Sequence, residues 1–257
     1  MFEVLHQAAQ YIVAAALSFR SDIENHAQVK LHWIPNHRML VGPALDEAGE
    51  VFPALNLDAY ALEFVDADYD VLHTMYLESV RHDAVLFWIA SLADELELDG
   101  FFQFDLPYDL PYGTLNPDDL FPEPDYNELD RLGDVFSKAL NGMSRVLTGI
   151  DNATEIAWDA QHFTMGAVIV TGVVDETITS SIGVGLAPPE ESLADWYVYV
   201  SIWLHSGNYP QQLPAMTHGT WQLPHWNGAV AAASPLSEKD MAVFFEEGVA
   251  ILARFAI

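Results

Sequence analysis

Five prolines interrupt the chain between Asp105 and Asp130, in a stretch that reads DLPYDLPYGTLNPDDLFPEPDYNELD. Proline lacks a backbone N–H and fixes its own φ, so neither a regular helix nor a central strand can run through this stretch. An extended, polyproline-like path along the surface is expected instead. The sequence therefore predicts a first half at 1–105, a linker at 106–125 and a second half at 126–257, with one continuous domain as the alternative.

Apolar residues recur at helical spacing in four segments of the chain. This spacing places them on one face of a helix, which is the face that packs into a core. Two of the segments begin with residues typical of capped helix N-termini, Asp125 followed by Glu128 and Ser237 followed by Asp240. The predicted helices cover 4–19, 80–98 behind a cap at Ser79, a segment opening near Asp125 and a segment opening at Ser237.

Strand-like runs lie between these helices. Residues of the first part supply QVKLHWI, LDAYALEFV, YDVLHTMY and GFFQFDL. The second part supplies EIAW, FTMGAVIVTG, ETITSSIGVGL and DWYVYVSIWL, with GTWQL and GAVAAA as weaker candidates. Strands follow strands instead of alternating with helices, which favours an α+β protein with mainly antiparallel strands flanked by helices.

Acidic residues exceed basic ones by a wide margin, 38 against 9, which gives a net charge of −29. Such a charge repels nucleic acid and anionic lipid at long range. We therefore expect no nucleic-acid partner and no membrane partner. A solvated acidic surface accounts for the balance, and a cationic partner or mimicry of nucleic acid is the alternative.

The N-terminal stretch MFEVLHQAAQYIVAAALSFR lacks a basic region before its apolar run, so it is a poor signal peptide. No apolar run reaches the length that spans a bilayer. The expected location is the cytoplasm. The chain contains no cysteine, which excludes disulfides, thiolate metal sites and a cysteine nucleophile.

A short motif occurs twice, as WIPNH at 33–37 and WDAQH at 158–162. Each copy has a tryptophan, two variable residues, a side-chain amide and a histidine. Each copy also follows a predicted helix and precedes predicted strands. Upstream of each copy, ENHA at 24–27 and DNA at 151–153 add a weaker similarity. These parallels predict two related halves that arose by duplication.

The duplicated motif is the main candidate for a site. Two halves packed about a pseudo-twofold axis would bring both histidines to one cleft. Histidine offers acid–base chemistry near neutral pH or an imidazole ligand for a metal. The alternative is that the tryptophans pack in the core and the histidines bond to nearby backbone. The candidate residues here are Trp33, Asn36, His37, Trp158, Gln161 and His162.

Trp221 and His225, in THGTWQLPHWNG, extend the candidate site because an exposed tryptophan near polar groups can stack on a flat ligand. VDADYD has aspartates at alternate positions, but it lacks the glycine and the glutamate that a calcium loop needs, so it predicts a polar hairpin turn. No phosphate-binding loop, zinc-protease motif or nucleophile elbow is present. No cofactor and no metal are predicted.

Segments spread over most of the chain, KLHWIPNH, YALEFVDADYDVL, QHFTMGAVIVTG, WYVYV and TWQLPHW, together resemble a bacterial protein family of about this length. That family has no assigned activity. The resemblance therefore implies a unit that covers the whole chain, and it implies nothing about substrate, cofactor or site residues.

Two functions are compatible with these patterns. The first is binding of a small ligand in a cleft lined by histidine and tryptophan between two related halves, with or without an enzymatic reaction. The alternative is a non-enzymatic interaction protein that uses its acidic surface or an exposed tryptophan, with a second copy of the chain among the partners that remain open.

Overall fold

The computed structural model describes residues 1–20, 30–113, 115–206 and 209–256. Gln28 and Val29, the first two residues of the predicted strand QVKLHWI, lie outside these residues, as does the ENHA segment at 24–27. Within the described ranges the helices are α1 (Phe2–Phe19), α2 (His82–Leu92), α3 (Tyr126–Leu147) and α4 (Glu238–Leu252). The strands are β1 (Lys30–Ile34), β2 (Met39–Val41), β3 (Phe52–Asn56), β4 (Ala61–Val65), β5 (Val71–Tyr76), β6 (Ala157–Asp159), β7 (Thr164–Val174), β8 (Thr177–Ala187), β9 (Tyr197–Leu204), β10 (Thr220–Trp221) and β11 (Gly228–Ala232).

The chain divides into two compact units. Unit 1 comprises Met1–Gly133 and Trp158–Phe163, and unit 2 comprises Asp134–Ala157 and Thr164–Ile257. Residues 106–125, the predicted linker, belong to unit 1, and the division falls inside α3. The proline-rich stretch therefore lies within a unit.

Strand pairing confirms the predicted fold class, because neighbouring strands in both units pair antiparallel. In chain order the described elements run helix, five strands, helix and then helix, six strands, helix. This order agrees with two related halves, but similarity of element order alone does not establish a duplication. The duplication stays a prediction.

In unit 1 the strands lie in the order β6-β1-β2-β3-β4-β5, and α1 packs against β3. Twelve of the eighteen residues of α1 are buried, including the polar His6 and Gln10. Burial on so many sides makes α1 a central helix of the unit, which explains why its sequence is apolar beyond a single stripe.

An extended segment at 101–113, called the strap, packs against α1. Its side chains alternate strictly between exposed and half-buried. Gln103 exchanges two hydrogen bonds with the Ser18 hydroxyl, of 2.8 and 3.1 Å, and Tyr108 donates to Gln10 Oε1 at 2.7 Å. GFFQFDL is therefore extended, but the prediction of a regular strand there is wrong.

The prediction of α2 as residues 80–98 behind a Ser79 cap is also wrong at both ends. The helix starts at His82, with Arg81 as its N-cap residue, and ends at Leu92. The N–H groups of His82 and Asp83 donate to the carbonyls of Asp119 and Pro117. Because distant backbone satisfies these N–H groups, the helix does not depend on a side-chain cap.

In unit 2 the strands lie in the order β7-β8-β9-β11-β10, and α4 packs against β8 and β9. The predicted start of α4 is confirmed, since Ser237 and Asp240 form a capping box. On β9, Val198, Val200 and Ile202 are buried, whereas the alternate positions carry Tyr197, Tyr199 and Trp203. A Cβ at Gly248 on α4 would overlap Val200, so glycine permits this close packing. The aromatic side chains of β9 therefore lie on the face of the sheet opposite to the one that α4 covers.

The predicted polar hairpin turn joins β4 to β5. The Asp66 carboxylate accepts the backbone N–H groups of Asp68 and Asp70, both at 2.9 Å. In the part of the chain that the structure describes, no helix is long and apolar enough to cross a membrane.

Candidate functional site

The repeated tryptophan–histidine motif forms the same local structure in both places. Each tryptophan lies on a strand, and the amide and the histidine lie in a four-residue turn that leads into the next strand. The last turn residue has positive φ in both copies, 51° at Arg38 and 53° at Phe163. The motif is thus one strand-and-turn element used twice, and a superposition of two whole halves stays a prediction.

Both tryptophans are core residues. Trp33 is 4% exposed and Trp158 is 0% exposed. In the β1–β6 ladder Trp158 is opposite Leu31, and Trp33 follows Leu31 by two positions, so both indoles are on the same face of the sheet. Their place in the core matches the alternative reading of the motif.

The two histidines are exposed, and the register separates them. β1 and β6 are antiparallel and Lys30 pairs with Asp159, so the turn that contains His162 lies beyond the Lys30 end of β1. The turn that contains His37 follows Ile34, at the other end of β1. Four residue steps of about 3.3 Å place these ends about 13 Å apart. The structure does not bring His37 and His162 together.

Residues outside the motif help to hold each turn. Arg38 pairs with Asp58 at 2.6 Å and with Asp130 at 3.1 Å. In the second turn, the Ala160 carbonyl lies 2.8 Å from His6 Nε2 and accepts a hydrogen bond from Gln10 at 3.0 Å. The exposed amides Asn36 and Gln161 stay at the surface.

Around the second turn, the Asp159 carboxylate accepts the backbone N–H groups of Gln161 and His162 and lies 3.0 Å from His162 Nδ1. The His162 side chain is 64% exposed, so water screens its contact with Asp159. It orders a surface turn and does not form an enclosed site.

Unit 2 contains a separate pocket of about 590 Å³ on the aromatic face of its sheet. This volume lies within the range that small-ligand sites occupy. The pocket takes in His225 of the predicted set and its neighbour Trp226. Its lining residues are Thr164, Ala187, Glu190, Ser192, Leu193, Tyr197, Tyr199, Gln222, His225, Trp226 and Val230.

Glycines on neighbouring strands make room for the central tyrosine of this pocket. Tyr199 pairs with Gly185 on β8, and Gly185 pairs with Gly166 on β7, so the three positions form one row. A Cβ at Gly185 would lie 2.5 Å from Tyr199 Cζ, and one at Gly166 would lie 3.1 Å from the Tyr199 hydroxyl oxygen. The phenol ring therefore lies across a floor of glycine backbone.

Trp226 forms a second aromatic wall. Its ring centroid is 6.1 Å from that of Tyr199, with the ring planes at 73°. A Cβ at Gly228 would overlap the Trp226 indole, so another glycine permits this placement. Edge-to-face aromatic pairs at this spacing are mutually attractive, which fixes the two walls relative to each other.

The loop that leads into β9 brings a carboxylate to the pocket. Glu190 and Leu193 exchange two backbone hydrogen bonds, of 2.9 and 3.0 Å, and the Ser192 hydroxyl donates to Glu190 Oε1 at 3.0 Å. Burial, followed by the nearby charge of Glu190, raises the pKa of the Tyr197 phenol to about 12. Tyr197 therefore stays neutral at physiological pH and adds a third aromatic surface.

Trp221 does not line this pocket. It lies on β10, half-buried, and its indole Nε1–H donates to the Pro214 carbonyl at 2.8 Å. This bond holds the segment before β10 against the sheet edge. Among the described residues, no group of three or more histidine, cysteine, aspartate or glutamate side chains could hold a metal ion.

Unit 1 has a second large cavity, of about 620 Å³, with a different character. Its described lining residues include six carboxylates and one cation, Arg20. The acidic residues are Asp46, Glu47, Glu50, Glu95, Glu97 and Asp99. The excess of carboxylates in this lining attracts cations in general, and it distinguishes this cavity from the unit 2 pocket, which has one carboxylate among its described lining residues.

Sequence patterns missed most of the unit 2 pocket, although one signal was present. The run DWYVYVSIWL alternates aromatic and aliphatic residues, which places Tyr197, Tyr199 and Trp203 on one face. Two tyrosines opposite the helix-covered face indicate an aromatic surface. The contribution of Glu190 depends on the fold of its loop and has no local signal.

Comparison with protein-family models, with curated proteins and with solved structures finds no match for this chain. The resemblance to a bacterial family therefore stays a prediction.

Proposed function

We propose that this protein binds a small organic ligand in the unit 2 pocket, between the aromatic face of the sheet and the loops that carry Glu190 and His225. The observation that carries this proposal is the glycine floor beneath Tyr199. Side chains at Gly166 and Gly185 would displace the phenol ring. With glycine at these positions, the Tyr199 ring and the Trp226 indole line an open cavity of about 590 Å³.

The pocket supports binding more than it supports a named reaction. Ser192 donates its hydroxyl hydrogen to Glu190. Glu190 accepts this hydrogen, but a serine nucleophile also needs its base to be held by a third group. Among the described residues, no such group hydrogen-bonds to the Glu190 carboxylate. We therefore assign the pocket a binding role, in which aromatic surfaces contact the ligand and Glu190, Gln222 and His225 orient it.

A fragment screen by ligand-observed NMR tests this proposal. We expect fragments that bind wild-type protein to lose at least about tenfold in affinity in Trp226→Ala, because an aromatic wall is removed. Trp203→Ala is the matched control, since Trp203 is 46% exposed on the same face of β9 but outside the pocket. Fragments that bind both variants as well as wild type, or the absence of any binding fragment, would contradict the proposal.

The alternative of a non-enzymatic interaction protein is favoured by one observation. The end of the β7–β8 hairpin exposes Val173 by 57%, Val174 by 59% and Ile178 by 44%. Neighbouring exposed apolar side chains are typical of contact surfaces. The fragment screen separates the two functions, because a protein of this second kind needs no ligand in the unit 2 pocket.

The acid excess predicts how salt acts on the protein. With a net charge of −29, carboxylate repulsion destabilises the compact state, and added salt screens it. We expect the melting temperature to rise by at least about 2 °C between about 0.05 and 0.5 M NaCl, roughly 1 kcal/mol for a chain of this size. We also expect no binding of duplex DNA at physiological salt. A falling melting temperature or measurable DNA binding would contradict this account.

We also propose that the two halves of the chain arose by duplication. Two observations support this: the shared order of helices and strands, and the repeated turn that ends at positive φ in both copies. On this proposal the repeated motif is a folding element, and the pocket is a later feature of the second half.

A further inference from the structure

The unit 2 pocket combines aromatic surfaces with one negative charge. Tyr197, Tyr199 and Trp226 line it, Glu190 adds a carboxylate, and no lysine or arginine is among the described residues of its lining. Aromatic rings present electron-rich faces, which attract a cation most strongly when water is displaced. An anionic ligand would meet Glu190 without a lysine or arginine to compensate its charge.

The charge of the whole protein acts in the same direction. A net charge of −29 raises the local concentration of cations near the surface and speeds their arrival. This long-range field does not select one cation from another, so selectivity has to come from the lining of the pocket.

The lining favours an alkylated ammonium over a simple one. A primary ammonium has three N–H donors that need acceptors. One oxygen of the charged acceptor, Glu190 Oε1, already receives the Ser192 hydroxyl at 3.0 Å. A quaternary ammonium has no N–H donors, and it fits surfaces supplied by two tyrosines and a tryptophan.

We propose that the unit 2 pocket recognises a ligand that carries a quaternary ammonium group, with Tyr199 and Trp226 contacting the methylated nitrogen and Glu190 supplying the opposite charge. This inference rests on the proposed ligand-binding function and names the chemical class of its ligand.

The test compares choline with 3,3-dimethyl-1-butanol, a neutral molecule of the same shape in which carbon replaces the charged nitrogen. Binding to the full chain is measured by isothermal titration calorimetry and ligand-observed NMR in about 0.15 M NaCl, a physiological ionic strength. We expect choline to bind at least about tenfold more tightly than the isostere, within the range of a desolvated cation–π contact.

Two pocket variants and one control separate the sources of binding. Glu190→Gln is expected to weaken choline by about threefold to tenfold and leave the isostere unchanged, because it removes charge and keeps shape. Trp226→Ala is expected to weaken choline by at least about tenfold. Trp203→Ala, outside the pocket, is expected to bind choline like wild type.

The outcomes distinguish this inference from the proposal beneath it. If fragments bind in a Trp226-dependent way but choline binds no better than its isostere, the pocket binds ligands and the inference of a quaternary ammonium fails. If choline binds equally well to wild type, Glu190→Gln and Trp226→Ala, it is held by the acidic surface, and the inference fails again. If neither choline nor any fragment binds, both proposals fail.

Discussion

Replacing Trp158 with alanine is expected to lower the free energy of unfolding by about 3–5 kcal/mol, the usual cost of removing a large buried aromatic side chain. Trp158 is 0% exposed, and its ring packs on Phe163 with centroids 4.9 Å apart. Its removal leaves a cavity that the surrounding sheet cannot fill. Trp33→Ala is expected to behave in the same way, because Trp33 is 4% exposed on the same face.

The histidines of the same motif supply matched comparisons. His37→Ala and His162→Ala are each expected to change stability by less than about 0.5 kcal/mol, since both side chains are exposed. Urea denaturation followed by far-ultraviolet circular dichroism measures all four variants without relying on tryptophan fluorescence. A loss of 2 kcal/mol or more (about the lower end of core truncations) in the histidine variants would contradict the assignment of these side chains to the surface.

Near-native stability of the histidine variants would not by itself restore a shared cleft. The β1–β6 register places the two turns at opposite ends of β1. The exposed histidines are therefore separate surface groups, and the tryptophans are the part of the motif that the fold depends on.

Lowering the pH below 6.5 is expected to destabilise the protein through two buried histidines, His6 and His82. Burial lowers the pKa of both imidazoles below 6.5. In the unfolded chain they take up protons near their ordinary pKa, whereas in the folded chain they resist protonation. Their contribution is therefore fully present above pH 6.5 and is lost as pH falls from 6.5 towards the folded-state pKa.

The neighbours of each histidine explain this resistance. Tyr11 and the His82 Nδ1 atom are 2.5 Å apart, and Phe104 of the strap packs on the His82 ring at 5.1 Å. His6 stacks on Phe163 with ring centroids 5.1 Å apart. Near His82, the carboxylates of Asp119 and Asp83 favour the charged imidazole. Near His6, Asp159 favours the charged form and His162 disfavours it. Burial outweighs these charges and lowers the pKa at both sites.

The experiment compares slopes, because the many carboxylates of the chain also titrate on the acid side. Unfolding free energy is measured between about pH 4.5 and 6.5, just below the ordinary histidine pKa, for wild type, His6→Gln and His82→Gln. Glutamine can replace the bond to Ala160 or to Tyr11. Each variant is expected to reduce the slope by up to about 1.4 kcal/mol per pH unit, the limit for one proton.

His37→Gln is the control for this pH series, since its imidazole is exposed. It is expected to keep the wild-type slope. If His6→Gln and His82→Gln also keep that slope, the two buried histidines do not resist protonation and the explanation fails.

Local chemistry determined the parts of the fold that the sequence could predict. The start of α4 follows from Ser237 and Asp240, which cap each other three residues apart. The strands of unit 2 follow from alternating residues with one buried face. These signals involve neighbours along the chain, so they need no knowledge of distant residues.

Elements that depend on distant partners were missed or misplaced. β3 contains Pro53, which counts against a strand, yet β3 pairs with both β2 and β4. The Pro53 carbonyl still accepts the Gly42 N–H at 2.9 Å, so the proline remains part of the ladder. GFFQFDL at the start of the strap has a strand-like sequence, but the Gln103 backbone bonds to the Ser18 side chain, which no local pattern reveals.

The sequence by itself determined the antiparallel α+β class, the acid excess and the repeated motif, because each is a property of composition or of neighbouring residues. Only the tertiary structure decided which aromatic and charged groups share a pocket. Tyr199 meets Gly185 and Gly166 through strand register, and Glu190 reaches the pocket through its loop. The same register separates His37 from His162, since a motif repeated along a chain carries no information about where antiparallel pairing places its two copies.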